Sequence, residues 1–216
     1  MTTETAEDVL SEEFYEARKA ELATRVKHRR FEHSLGVSQT AEGLAHVYGA
    51  DEAVARLAGL LHDWDKGYDD EGARARAREL GMDEGSFIYR CMPNLLHGPT
   101  AARALERDFP GLPPALLQAI RLHTTGAVDM TDLDMIVYVA DAIEPTRDYP
   151  GIDKLRALVG RVTLEELFLS TFQDVLVNLV SRRKRIYPQT LEIWNHYIVR
   201  ARERAVADAS ERKGNK

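Results

Sequence analysis

Between residues 51 and 65 the chain reads DEAVARLAGLLHDWD, and Val54, Leu57, Ala58 and Leu61 recur at the i, i+3, i+4, i+7 spacing of a helix face. The same periodicity predicts helices near residues 10–27, 29–48, 51–65, 70–80, 99–109, 113–124, 132–144, 152–159, 163–186 and 188–208. Breaks such as GYDD, HGP, FPGLPP and PTRDYPG separate them, and the segments lack strand alternation. Pro99 and Pro114 suit first-turn positions, and Thr163 followed by Glu166 matches a capping box. The expected fold is all-α. Neither a repeat nor a linker divides the chain, which predicts one domain over 1–216, with its core over 20–198 and a frayed tail at 209–216.

Composition narrows the function classes. A hydrophobic share of 44% beside 30% charged residues is that of a globular protein and predicts no membrane span. The formal charge of -6 argues against a non-specific nucleic-acid binder but leaves room for a local basic pocket. The opening MTTETAEDVL lacks the basic and apolar regions of a secretory signal, so a cytoplasmic location is expected. The single cysteine, Cys91, excludes an intrachain disulfide and a Cys-based zinc site, and reads as a small core residue. Arg74, Arg76 and Arg78 read as solvated surface. The run Arg182 to Arg185 reads as a solvent-facing helix end, with an anionic substrate or partner as the alternative.

The candidate chemistry lies in polar residues on apolar stripes. His62 is the next position on the Val54–Leu61 stripe, and Asp63 is rotated from it by about 100°. Val37, Ala41 and Leu44 lead upstream to His33, Leu116 and Ile120 lead to His123, and Val137 precedes Asp141 by four. His97 is placed just outside the helix that carries Ala101 and Leu105. His28, His46 and His196 have no such company and read as surface or packing residues.

An unpaired buried carboxylate costs several kcal/mol, about 3–5 when a partner is missing, and a metal ion compensates it. Imidazoles and carboxylates without thiolate suit iron, manganese, cobalt or zinc. These ligands exceed the needs of one tetrahedral zinc, whereas two metals bridged by Asp63 would use them all. Such a centre suits in-line displacement at phosphorus. Arg30, Lys66 and Arg147 lie close in sequence to these ligands, where they could hold phosphate.

The stretches RRFEHSLGV, LLHDWDK, LLHGP, RLHTTG and VADAIEPTRDYPG resemble the HD-domain metal-dependent phosphohydrolases, and more narrowly their bacterial YqeK-type family. The resemblance covers residues 20–198 in the order H, HD, H, H, D. It implies a helical bundle around a buried di-iron centre and symmetrical hydrolysis of diadenosine tetraphosphate to nucleoside diphosphates. It matches His33, His62, Asp63 and Asp141 to one iron, and Asp63, His97 and His123 to the second. Asp63 and Lys66 then carry catalysis, and Arg30, Lys66, Thr124 and Arg147 contact phosphate or nucleotide. Four positions depart from the family pattern: Ala127 where an Arg is usual, Ala142 where an aromatic is usual, and Trp64 and Asp65 before Lys66.

The expected function is therefore cleavage of a dinucleoside polyphosphate by water whose pKa bound metal lowers from 15.7 toward about 7. Trp64, Tyr68 and Phe87 are candidates to stack a base, although each fits a core position better. Two alternatives stand beside this reading: an HD phosphohydrolase for a nucleoside monophosphate, deoxynucleotide or cyclic nucleotide, and a metal-containing nucleotide sensor without turnover. The oligomeric state stays open, a homodimer included.

Overall fold

Side-chain caps set many of the helix boundaries. Ser11, Asp51, Asp69, Ser86, Thr131 and Thr163 each accept a backbone N–H of the following first turn, which stabilises a helix by about 1 kcal/mol. The computed structural model describes residues 6–214. In chain order its helices are α1 (Ala6–Val9), α2 (Glu12–Arg25), α3 (His28–Tyr48), α4 (Glu52–Leu61), α5 (Asp70–Glu79), α6 (Phe87–Cys91), α7 (His97–Asp108), α8 (Pro114–Leu122), α9 (Asp132–Ile143), α10 (Ile152–Leu158), α11 (Leu164–Ser181) and α12 (Thr190–Gly214). A 3₁₀ turn, Pro93–Leu95, precedes α7. Strands are absent among the described residues, and none of the helices is long and apolar enough to cross a membrane.

The apolar stripes assemble two cores that meet at α9. Val37, Ala41 and Leu44 of α3 pack with Ile136, Val139 and Ile143 of α9, Phe168 and Phe172 of α11, and Ile193 and Tyr197 of α12. Leu57 and Leu61 of α4 pack with Leu22, Ala101, Leu105, Leu116, Ile120 and Val137. Because α9 serves both clusters it is buried on nearly all sides, which explains its almost unbroken apolar run MIVYVA.

Two glycines let the ligand-bearing helices touch. A Cβ on Gly59 would lie 2.8 Å from Ser38 Cα, so α4 presses on α3 backbone to backbone. A Cβ on Gly98 would lie 3.0 Å from the Ile120 carbonyl, so the start of α7 abuts the end of α8. These approaches bring His33 beside His62, and His97 beside His123.

Each predicted helix appears, with some ends moved. α4 stops at Leu61 instead of residue 65, because residues 62–67 form a turn. α11 stops at Ser181 instead of 186: Arg183 takes φ 52°, and Arg183 and Lys184 N–H close back on Val180 and Leu179 carbonyls. This is a Schellman closure with Arg where Gly is usual, which is why composition does not announce it. α7 begins at His97, placing that residue inside the helix and not beyond it. α12 continues through Gly214; of the expected frayed tail, residues 215 and 216 lie outside the described residues, as do residues 1–5 of the opening segment.

Candidate metal centre

Helix ends deliver most of the candidate ligands. His62 and His123 are the C-cap residues of α4 and α8, His97 is the first residue of α7, and Asp63 follows in the turn after α4. His33 and Asp141 come from within α3 and α9. The four histidines and Asp63 are at most 5% exposed, and the Asp141 side chain is 24% exposed.

Asp63 divides the cluster. Its Oδ2 lies 3.3 Å from His62 Nε2 and 3.9 Å from His33 Nε2, while its Oδ1 lies 3.4 Å from His97 Nε2 and 3.7 Å from His123 Nε2. Asp141 Oδ1 joins the first side, 2.9 Å from His33 Nε2 and 3.9 Å from His62 Nε2. Ligand atoms of His33, His62 and Asp141 all fall within 4.8 Å of one another, as do those of His62, Asp63 and His123.

The tautomers follow from the partners. Nδ1 of His62, His97 and His123 lies 2.7 Å from the carbonyl oxygens of Gly59, Asn94 and Ile120, and a carbonyl only accepts, so Nδ1 carries the proton. Each Nε2 therefore presents a lone pair inward. His62 Nε2 has no hydrogen-bond partner although fully buried. Bare ring nitrogens facing carboxylate oxygens repel in a dry interior unless a cation sits among them, so the donor set fits a divalent metal.

Electrostatics agree. Burial, with Lys66 and His123 nearby, pushes the His97 imidazole down to about 3; burial and His62 push His123 down to about 4. Both rings are neutral, as ligands must be. Burial opposes ionisation of Asp63, yet the carboxyl stays well below its usual range. Burial also opposes the charge of His33, yet bonds to Asp141 and Glu144 raise it overall.

The cations named from sequence converge here too. Arg30 Nη1 donates to Asp63 Oδ2 at 2.8 Å, and Arg147 donates to both the side chain and the carbonyl of Asp141. Lys66 Nζ stands 3.3 Å from His97 Nε2, its pKa lowered by burial despite Asp63. The Thr124 hydroxyl lies 2.9 Å from His123 Nε2 and 3.1 Å from His97 Nε2.

A family model for the HD domain matches residues 30–146, which contain all of these side chains except Arg147. The chain belongs to the HD domain family. Among similar proteins, a symmetrical bis(5'-nucleosyl)-tetraphosphatase of Halalkalibacterium halodurans is 35% identical over 79% of this chain and 89% of its own length. One of the same description from Staphylococcus aureus is 33% identical, covering 80% and 89%. A crystal structure from Clostridium acetobutylicum, described as that of a predicted HD superfamily hydrolase involved in NAD metabolism, superposes with a TM-score of 0.79 at 32% identity, covering 86% of this chain and 97% of that one.

Residues beyond the HD pattern complete the surroundings. Glu144, not anticipated from sequence, accepts from His33 Nδ1 at 2.9 Å and is itself held by the Thr146 backbone N–H and hydroxyl. Its signal was available: an acid three residues after Asp141, at the end of α9. Asp65 points away from the centre and is buried between Arg25 and Arg76, 3.0 and 3.2 Å away. Arg76 is thus no solvated surface residue, in contrast to the reading of its spacing. Trp64 is core, under Arg25, whereas Tyr68 and Phe87 are exposed. Ala127 and Ala142 pack against the α3–α9–α11 core. Cys91, expected in the core, is half-buried.

Proposed function

We propose that this HD-domain chain is a metal-dependent hydrolase that cleaves diadenosine tetraphosphate symmetrically into two ADP. The observation that carries the reading is the division of Asp63, one oxygen toward His33 and His62, which Asp141 also faces, the other toward His97 and His123. A bridging carboxylate between two ligand sets suits a pair of ions, and we assign two transition-metal ions, chiefly iron. The relatives named as symmetrical tetraphosphatases support the substrate.

When bound, such ions make water a nucleophile at neutral pH. The protein's own groups then have distinct tasks. His62, His97 and His123 are locked in one tautomer by their carbonyl partners, and His33 is oriented by Glu144. Lys66, Arg30, Arg147 and Thr124 border the cluster and neutralise and orient the polyphosphate. Water oxygen ends on the attacked phosphorus, the bond from that phosphorus to the central bridging oxygen breaks, and the proton leaves to solvent. No side chain is needed as a nucleophile. The whole chain acts as one domain, with a cytoplasmic location suited to a nucleotide substrate.

Chromatography at short reaction times tests the reading. ADP is expected as the only nucleotide product, with one solvent oxygen incorporated and no turnover of cyclic nucleotides. Equal amounts of AMP and ATP would overturn the central cleavage, and absence of product from any dinucleotide would overturn the substrate.

A further inference from the structure

Thr124, whose hydroxyl touches His97 and His123, also lines a cavity of about 590 Å³. That volume lies within the range of small-molecule sites, about 300–1,000 Å³. Buried Met92, Tyr138 and Phe172 form apolar wall, extended by Leu95, Leu176 and Leu179. Arg182, Lys184 and Arg185, all exposed, line its rim.

The backbone puts these cations there at a cost. Arg183 holds φ 52°, a conformation that strains a non-glycine residue by about 1 kcal/mol or more, and it turns the basic run off the end of α11. Arg185 Nη1 donates to the Cys91 carbonyl, fastening the connection between α11 and α12 to the end of α6. Among the described residues no carboxylate pairs with Arg182, Lys184 or Arg185. In a chain of net charge -6, three uncompensated cations beside an apolar cavity next to the centre call for an anion with a flat apolar body.

We propose that this cavity is a second nucleotide subsite, in which Arg182 and Lys184 hold phosphate of the substrate half that extends away from the histidine cluster. The inference rests on the dinucleotide reading above and deepens it. Central cleavage leaves two phosphates on each side of the broken bond, so both halves must be held to keep the bridge in place. Arg30, Lys66 and Arg147 serve one side, and the cavity serves the other. The subsite thereby favours two-headed substrates over mononucleotides.

The test is steady-state kinetics of the metal-loaded enzyme and its Arg182→Ala/Lys184→Ala variant, with Arg182→Gln/Lys184→Gln as a second pair. The expected result is a rise in KM for diadenosine tetraphosphate of about tenfold or more with kcat within about twofold. Added salt should raise the wild-type KM more steeply than that of the variant. A KM within twofold of wild type in both variants overturns the subsite. If the wild type cleaves no dinucleotide, the functional reading fails separately, and calorimetric titration with ADP then decides the cavity. ADP binding weakened about tenfold in the variants supports it, and equal binding overturns it.

Discussion

His97 and His123 hold their Nε2 atoms 3.1 Å apart, each with its Nδ1 proton engaged by the backbone carbonyl three residues before it. Neither ring can donate across that gap, so the two lone pairs oppose each other until something positive lies between or beside them. Lys66 and Thr124 supply part of that compensation.

Stripping metal with a chelator should therefore lower the melting temperature. A ligand present at about 100 times its Kd stabilises by about 2.7 kcal/mol, which for a domain of this size corresponds to about 5–10 °C. Elemental analysis of protein purified without chelator is expected to give two transition-metal ions per chain. Calorimetric scans of chelated and reloaded protein check the stability, and an unchanged melting temperature would count against a buried metal site.

Asp63→Ala and Lys66→Ala should separate two roles. The first removes the carboxylate shared by both ligand sets, so metal content and turnover should fall together. The second spares the ligands and should lower kcat/KM at normal metal content. Equal metal loss in both variants would make Lys66 structural.

Glu144→Gln should weaken metal retention about tenfold to a hundredfold by loosening the hold on His33, with kcat of the fully loaded enzyme changed less. Gly36→Ala is expected to act on the same residue from the other side, since its Cβ would fall 2.4 Å from Glu144 Oε2. Competition against a chromogenic chelator measures both.

Asp65→Ala should destabilise by about 1–3 kcal/mol, because both arginines lose the buried carboxylate that joins them while Arg76 keeps Glu79 and Arg25 keeps Glu21. Urea unfolding provides the measurement. Metal content should remain normal, in contrast to Asp63 two positions earlier.

The helices and the convergence of these side chains were legible because both write a period into the sequence. His33, His62 and His123 each stand where an apolar stripe continues, so their inward direction follows from spacing alone. Glu144 was missed because it caps α9, where periodicity lapses, and its place three residues after Asp141 was the one signal left to read. Arg76 was misread for a different reason: an arginine that reaches back to a buried aspartate has the same local pattern as one in solvent. The cavity escaped notice because it is built from α6, α11 and the segment after Arg182, which are distant in sequence, and because its bend relies on an arginine in a glycine conformation.

The ligands enter the centre from α3, the end of α4, α7, the end of α8 and α9, spanning the chain from His33 to Asp141. Cations held between them would close several long loops at once, and loop closure of that length removes much of the freedom of an unfolded chain. Bound metal would thus give the protein the cross-links that its lone cysteine cannot provide. A protease added to chelated protein should first cut the stretches between these helices, the places those ties normally keep shut.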